Sequence, residues 1–407
     1  MTGGATGTGA GRNPRRSSHH STSTPVTHDD MRRANAWSVL QAIRKGGVVS
    51  RAEIGEQTGL TAMSVHRRVA ELRRRRLVVP AGNSPAGSIG RPSSLFRFNG
   101  AIGHVVGLDV GNETTRGVLV GLDREARAEL EVPTATIEDD LQGHLPALIR
   151  RLQTEAKVRP EALMGVAAGI AGVTRVDGTI VRASQHRRWD GLALGASLRD
   201  ALAVDVELRQ DDHFAALAEL HRGAVVGMRT ALLVNVGKGI GFGIITDGAV
   251  HAGAHGAAGR ATWIPLHPDD AGGPSPLIGD LLTSDGIVGD YTRAGGLGQP
   301  GGARGVFAAD AGGDVCAREA VDRFAARLGW LIGSAVAILD PEIVVVGGGI
   351  GRAFDRLREP VTRRVAEIIA TPPPIVASTL GPGAVAAGAI DAALALADLL
   401  LRELLGG

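Results

Sequence analysis

The chain has 407 residues, enough for two or three domains, and an overall formal charge of only +2. Its one cysteine, Cys316, excludes an intrachain disulfide and a zinc site built from several cysteines. The charge is unevenly distributed, because residues 1–100 hold 16 Lys+Arg and 5 Asp+Glu, whereas the remainder holds 28 and 37. A basic end on an acidic body favours contact with phosphates at that end alone.

Both ends of the chain bear on its location. Residues 1–30 are mostly Gly, Ser, Thr and Arg, so they are predicted to form a disordered tail and not a signal peptide. No apolar run is expected to cross a membrane, because Asp391 and Asp398 interrupt the Ala/Leu-rich stretch near the C-terminus. These features predict a cytoplasmic protein without membrane contact.

Residues 50–76 are predicted to form two short helices joined by a tight turn. Ser50 and Glu53 have the spacing of a capping box, and Thr61 is placed to cap the second helix. Apolar residues in that helix recur at i, i+4 and i+7, which buries one face and leaves the other exposed. The buried stripe consists of Val65, Val69 and Leu72.

The flanking segments complete a winged helix-turn-helix over residues 31–100. An apolar stripe between residues 36 and 43 predicts a first helix, and residues 77–79 and 95–98 predict the strands of a hairpin. In such a unit the second helix of the turn enters the major groove of DNA, with its start near base edges. A merely solvated basic face is the alternative.

The predicted DNA contacts divide into two kinds. Side chains near the start of the second helix are expected to read bases, and the arginines further along are expected to meet phosphates. At the hairpin tip, Gly90-Arg91-Pro92 is expected to place an arginine in the minor groove, unless Pro92 only ends the strand. The residues expected to contact DNA are Thr61, Ala62, Ser64, His66, Arg67, Arg68, Arg74, Arg75 and Arg91.

From about residue 104, apolar runs alternate with helical segments, as in an α/β fold. Three runs, at residues 104–112, 231–243 and 343–349, end in polar or glycine-rich turns. Glycines in such turns let backbone N–H groups approach an anion, although they also serve tight hairpins. The first two strand-plus-loop units suggest two similar lobes that face one cleft.

Over about residues 31–407 the chain resembles the ROK family of repressors, open reading frames and sugar kinases. The resemblance implies a two-lobed, actin-like (ribonuclease-H-like) ATPase fold with a sugar and ATP cleft between the lobes. Lobe 1 is expected at residues 101–225, completed by 384–407, and lobe 2 at residues 226–383. Homodimers or tetramers formed through this body are also implied. The motifs that carry the resemblance are GRP at 90–92, GLDVGNETT at 107–115, GIAG at 169–172, QDDHFAALAE at 210–219, GKGIGFG at 237–243, GAAG at 256–259 and LDPEIVVVGGG at 339–349.

The resemblance assigns Asp211 as the base that would take a proton from a sugar hydroxyl. The sugar contacts of the family are replaced. Gln210 stands in place of an asparagine, Arg260 and Ile278 in place of glutamates, and Trp263 in place of the histidine that binds sugar and zinc. Asp211 is therefore expected to be a vestigial base.

The phosphate loops and the zinc motif also depart from the family pattern. Lys238 replaces a threonine, and Glu113 places an anion where the phosphates of ATP would lie. Residues 271–315 contain no cysteine, so neither a metal nor a cofactor is expected. The Gly- and Pro-rich segment 271–313 is predicted to be a long mobile loop, with a short helix at 277–288.

Together these patterns predict a DNA-binding transcriptional regulator, a repressor that responds to a sugar-derived metabolite in a degenerate kinase cleft, and not an enzyme. A sugar kinase with a DNA-binding arm is the alternative. The operator is expected to be an inverted repeat in double-stranded DNA. Because Arg260 reverses the charge at a sugar contact, a sugar phosphate or sugar acid is favoured as the effector over a neutral sugar. A closed pocket in which Arg260 pairs with Asp211 is the other possibility. The residues expected to bind the effector are Gln210, Asp211, Arg260, Trp263, Lys238 and His255.

Overall fold

The structure, a computed structural model, describes residues 27–83, 93–265, 276–298 and 300–405. The tail predicted for residues 1–26 and the hairpin tip with Arg91 lie outside the described residues. Residues 27–30 belong to a helix and its cap, because Thr27 and Asp30 form a capping box. Asp30 N donates to Thr27 Oγ1 at 3.1 Å, and Thr27 N donates back to Asp30 Oδ2 at 3.0 Å. The predicted tail is therefore wrong for its last four residues.

The N-terminal unit, residues 27–98, packs three helices against a three-stranded antiparallel sheet of order β1-β3-β2. The predicted caps at Ser50 and Thr61 are confirmed, and so are the hairpin strands. Leu40, Val65 and Phe96 are fully buried between the helices and the sheet. The elements are α1 (His28–Gly46), β1 (Val48–Ser50), α2 (Arg51–Thr58), α3 (Ala62–Arg74), β2 (Val78–Asn83) and β3 (Ser94–Phe98).

The first body sheet has five strands in the order β10-β7-β4-β5-β6. Strands β4, β7 and β10 run parallel to one another, and β5 and β6 are antiparallel to their neighbours. Alternate side chains of β4 face opposite sides, so Val106 and Leu108 pack with α4 and α5 while Val105 joins the core around α6. The elements are β4 (His104–Val110), β5 (Thr114–Gly121), β6 (Ala126–Pro133), α4 (Leu141–Glu155), β7 (Leu163–Ile170), a separate hairpin of β8 (Gly172–Thr174) and β9 (Ile180–Ala183), α5 (Leu194–Leu202), β10 (Val206–Gln210) and α6 (Asp211–Arg222).

The second body sheet has five strands in the order β13-β12-β11-β14-β15. Helix α6 packs on this sheet as well as on β7, so it lies between the two body sheets. The other face of the second sheet is covered by α10 and α12. The remaining elements are β11 (Ala231–Val236), β12 (Ile240–Thr246), β13 (Ala249–Val250), α7 (Ile278–Leu281), α8 (Ser284–Arg293), α9 (Ala303–Ala311), α10 (Val315–Leu339), β14 (Ile343–Gly347), α11 (Gly348–Gly351), α12 (Phe354–Ala366), β15 (Ile375–Ala377) and α13 (Ala384–Leu404).

The segment after residue 276 corrects the prediction of a long loop at 271–313. It contains α7, α8 and α9, and the short helix predicted at 277–288 covers α7 and the first half of α8. Ile287, Tyr291 and Val306 are buried against α10. Asp290, also buried, pairs with Arg327 of α10 at 2.5 Å. Apolar burial and this ion pair order a segment whose glycines suggested irregular structure.

Helix α13 is long and apolar, and residues 381–404 are long and apolar enough to span a membrane by length and composition alone. The prediction that its aspartates interrupt such a run is therefore wrong by that measure. In the structure one face of this helix is buried, and α13 packs on β4, β7 and α6. Asp391 in its middle accepts hydrogen bonds from Arg124 at 2.5 Å and Arg222 at 2.8 Å. The helix lies in the core of the fold.

Candidate functional site

A cleft of about 410 Å³ lies where loops from the two body sheets meet. Its walls are the turn after β4, the start of α6, the glycine loops after β11 and β14, Arg260, and the start of α13. A Cβ added to Gly241 would lie 1.8 Å from Asp212 Oδ2, so glycine is required for the β12 backbone to approach α6. The sequence places flexible backbone and carboxylates at one edge of both sheets.

Asp211 and Asp212 begin α6, and both line the cleft. Asp212 Oδ1 accepts a hydrogen bond from Asn235 Nδ2 at 2.9 Å, and Asp211 Oδ1 accepts one from Asp212 N at 3.0 Å. Burial raises the pKa of both carboxyls, and the charge of Arg260 opposes this rise. The structure therefore places Asp211 where a base would face a ligand in the cleft.

Asp109 adds a third carboxyl at the end of β4. Burial raises its pKa to about 7, against the charge of Arg116 and with the help of Asp212 and Glu131. Asp109, Asp212 and Asn235 were missed as candidate site residues, although Asp109 and Asp212 fall inside the family motifs, at the end of β4 and just after β10.

Lys238 joins the loops of the two sheets across the cleft mouth. Its Nζ lies 3.0 Å from Glu113 Oε1, in the turn between β4 and β5, and 3.1 Å from Asp285 Oδ1 of α8. These two carboxylates raise the pKa of Lys238. The ammonium expected to meet an effector is thus paired within the chain, and it balances the charge of Glu113 in the turn after β4.

Arg260 lines the cleft but does not pair with Asp211, because no ion pair of Arg260 occurs among the described residues. Its Nε is buried without a hydrogen-bond partner among them. The closed-pocket alternative, which needs that pair, does not match the structure. Gln210 lies behind the cleft and is fully buried, where Nε2 donates to Ala258 O at 3.3 Å and Oε1 has no partner.

Trp263 and His255 lie outside the cleft, which corrects their expected place beside Asp211. They line a second cavity of about 770 Å³, which we name the outer groove. Trp263 and His255 differ from the expectation because residues of the segment 254–263 lie against the β8–β9 hairpin. Ile278 is fully buried in the core of the second body sheet and does not reach the cleft. The groove is lined by Val173, Val176, Val181, Ala254, His255 and Trp263, with Arg175, Asp177 and Ala257.

Helix α3 exposes most of the residues predicted to meet bases. Ser64 is half-buried, and its Oγ accepts a hydrogen bond from Thr61 Oγ1 at 3.1 Å. Arg68 differs from the prediction because it pairs with the buried Glu71, and Arg75 donates to Leu404 O of α13. These two arginines hold structure instead of facing outward. Of the predicted contacts, those that are exposed are Thr61, Ala62, His66, Arg67 and Arg74.

Comparison with known proteins agrees with this geometry. The ROK family pattern matches residues 105–397. The glucokinase of Halalkalibacterium halodurans is 28% identical over 282 residues, which are 63% of this chain and 83% of that protein. The xylose repressor of Caldicellulosiruptor bescii is 24% identical over 359 residues, 83% of this chain and 89% of that protein. The crystal structure of a ROK family transcriptional regulator, a homologue of the E. coli MLC protein, superposes with a TM-score of 0.74 at 23% identity, over 93% of this chain and all of that one. The chain belongs to the ROK family.

Proposed function

We propose that this chain is a DNA-binding transcriptional regulator with a sugar-derived effector. The observation that carries the proposal is the uncovered face of α3, which presents Thr61, Ala62, His66, Arg67 and Arg74 on a compact N-terminal unit. The N-terminal unit lies outside the family pattern that begins at residue 105. The similarity to the xylose repressor covers 83% of this chain, and that to the glucokinase covers 63%. This difference supports a regulatory role for the N-terminal unit.

In this proposal residues 31–100 form a winged helix-turn-helix that docks α3 in the major groove. His66 and Arg67 read base edges near the helix start, and Arg74 contacts phosphate. The hydrogen bond that Thr61 accepts from Ser64 N at 3.3 Å fixes the start of α3. Arg68 supports recognition only indirectly, since its pairing with Glu71 holds α3 in the unit.

The body follows as a two-lobed, actin-like fold, with residues 101–225 and 384–407 in one lobe and residues 226–383 in the other. Gln210 faces a backbone carbonyl and Ile278 the core, so neither supplies the sugar contact that the family resemblance requires. Lys238 and Glu113 pair at the mouth of the cleft, where the phosphates of ATP would have to enter. These features favour a binding role over phosphoryl transfer.

An ATP-dependent sugar kinase with a DNA-binding arm is the second candidate. Asp211 supports it, because a cleft carboxyl with a raised pKa suits a general base. Release of ADP with glucose, mannose and N-acetylated hexosamines separates the candidates. The regulator proposal expects no release above that of the Asp211→Asn variant, and sugar-dependent release that this substitution abolishes would favour the kinase.

The effector proposed for the cleft is a sugar phosphate or sugar acid. Arg260 supports this class, since its buried Nε has no partner among the described residues and an anion would supply one. The raised pKa values of Asp109 and Asp211 reduce the negative charge that such an anion would meet. A thermal-shift screen with neutral sugars, sugar phosphates and sugar acids tests the class, because a ligand that binds the folded state raises the melting temperature.

Helix α13 is the element proposed to couple the cleft to the N-terminal unit. Ala384 and Val385 at its start line the cleft. Near its end, Asp398 pairs with Arg44 of α1 at 2.5 Å, and the guanidinium of Arg402 lies 4.5 Å from the ring centre of Trp37. One rigid helix therefore touches both places, and a shift at the cleft would move the DNA-binding unit.

Selection of duplexes from a random library by the full chain tests the proposal as a whole. In a homodimer or tetramer the two units are held at a fixed spacing, so the selected sequences should converge on an inverted repeat. The protein is proposed to act in the cytoplasm. If the selected duplexes show no sequence enrichment at low salt, the proposal of a DNA-binding regulator is wrong.

A further inference from the structure

The outer groove exposes apolar side chains that a folded protein usually buries. Val176 is 98% exposed at the tip of the β8–β9 hairpin, and Val181 and Trp263 are 40% and 39% exposed. They share one cavity of about 770 Å³, a size that suits a small molecule. Contiguous exposed apolar surface of this kind marks a binding site more often than scattered apolar residues do.

Cations flank the aromatic wall of the groove. The guanidinium of Arg182 lies 5.3 Å from the ring centre of Trp263, and that of Arg260 lies 5.8 Å from it. Arg182 forms no ion pair with any residue that the structure describes, and Arg175 is among the residues that line the groove. Guanidinium groups over an aromatic ring can bind a carboxylate or phosphate while they stay stacked.

Asp177 is the one carboxylate among the described residues that line the groove. Its Oδ1 accepts a hydrogen bond from Thr179 N at 2.8 Å, and this bond is the main cause of its lowered pKa. Asp177 is thus ionised and held within the hairpin turn. Arg175 lines the groove and Arg182 and Arg260 lie against the Trp263 ring, so the groove carries an excess of positive charge.

The groove lies between two parts of the chain that follow strands of different body sheets. One wall is the β8–β9 hairpin, which comes after β7 in the chain, and the other wall is formed by residues 254–263, which come after β13. The walls touch closely, since a Cβ on Gly256 would lie 2.2 Å from Thr174 O. A ligand in the groove would contact both walls, and it would remain outside the cleft that holds Asp211.

We propose that the outer groove binds a small molecule that carries an apolar ring and one anionic group, such as an aryl phosphate or aryl carboxylate. The ring lies against Trp263, Val176 and Val181, and the anion meets Arg182 and Arg175. This site is distinct from the sugar cleft, and it does not depend on DNA binding. The ring supplies apolar burial and the guanidinium groups supply charge-assisted hydrogen bonds, so both halves of the ligand are needed.

Isothermal titration calorimetry of the full chain with 4-nitrophenyl phosphate tests the site, and 4-nitrophenol and inorganic phosphate serve as the two half-ligands. We expect one saturable site per chain, with affinity at least about tenfold above that of either half-ligand. Trp263→Ala and Arg182→Ala should each weaken binding by about tenfold. Val181→Asp should also weaken it, because it places a carboxylate in the groove.

Ile338→Ser is the matched control, since it changes an exposed apolar residue on α10, away from the groove. Binding should be unchanged in this variant. The proposal is overturned if no saturable binding occurs at millimolar ligand. It is also overturned if Val181→Asp and Trp263→Ala bind as the unaltered chain does, which would place the ligand elsewhere, or if Ile338→Ser weakens binding equally.

Discussion

The carboxyl of Asp109 should destabilise the fold as the pH rises from 4 to 7. Burial raises its pKa from an ordinary value of 3.8 to about 7. The unfolded chain therefore loses this proton near pH 4, whereas the folded chain keeps it until about pH 7, so the free energy of unfolding falls through that window. About three pH units at about 1.4 kcal/mol each give an upper limit of about 4 kcal/mol, and we expect about 2–3 kcal/mol for this half-buried side chain.

Asp109→Asn removes the titration and keeps the shape of the side chain. The variant should be more stable than the unaltered chain by about 2–3 kcal/mol at pH 8, and by less than half of that at pH 5. The midpoint of urea unfolding at the two pH values measures the difference. Asp200→Asn, an exposed change on α5, is the control and should have no pH-dependent effect. An Asp109→Asn variant that is equally or less stable at pH 8 would refute the reasoning.

Three further predictions concern other charged residues. Asp391 has a lowered pKa, because hydrogen bonds from His221 and two arginines outweigh its burial. Asp391→Asn should therefore lower the free energy of unfolding in urea by about 2 kcal/mol at pH 7, and by less below pH 4. A loss that does not depend on pH would contradict this cause. Arg68→Ala should lower the stability of the N-terminal unit. Arg74→Ala should instead weaken binding to all DNA sequences and reduce the slope of log affinity against log salt concentration by about 1. Similar losses of stability in both variants would contradict the roles assigned. Asp398→Asn breaks the ion pair with Arg44, so limited proteolysis should cut faster between the N-terminal unit and the body. An unchanged rate would contradict the proposal that α13 links them.

Local sequence signals predicted the N-terminal unit well. Ser50 with Glu53, and Thr61 before α3, fix helix starts through contacts within three residues, so spacing alone reveals them. The hairpin strands β2 and β3 were also predicted, because their apolar pattern reflects one buried face. Such features depend on neighbours in the chain and need no knowledge of tertiary packing.

Tertiary contacts account for what the sequence did not predict. Arg75 looked like a phosphate contact, but its partner Leu404 lies 329 residues away. The glycines of segment 271–313 suggested a loop, yet burial of Ile287 and Tyr291 against α10 makes helices there. Intrinsic propensity is a weak guide where packing opposes it.

The candidate site was predicted in part. Asp211, Arg260 and Lys238 line the cleft as expected, because each follows a strand end or glycine loop that the motifs locate. Trp263 and His255 face the outer groove instead, since the course of the intervening loop is set by packing against the β8–β9 hairpin. The family resemblance predicted the candidate residues, and the fold decides which of them share a cavity.

Sequence-specific DNA recognition by α3 is tested most directly by the ratio of two affinities, for a selected inverted repeat and for a shuffled duplex of equal length. Fluorescence anisotropy with the full chain at two salt concentrations measures both. We expect a preference of at least about a thousandfold at physiological salt. Arg67→Ala should reduce that preference by about 1–3 kcal/mol. Equal affinity for the two duplexes at both salt concentrations would contradict the proposed function.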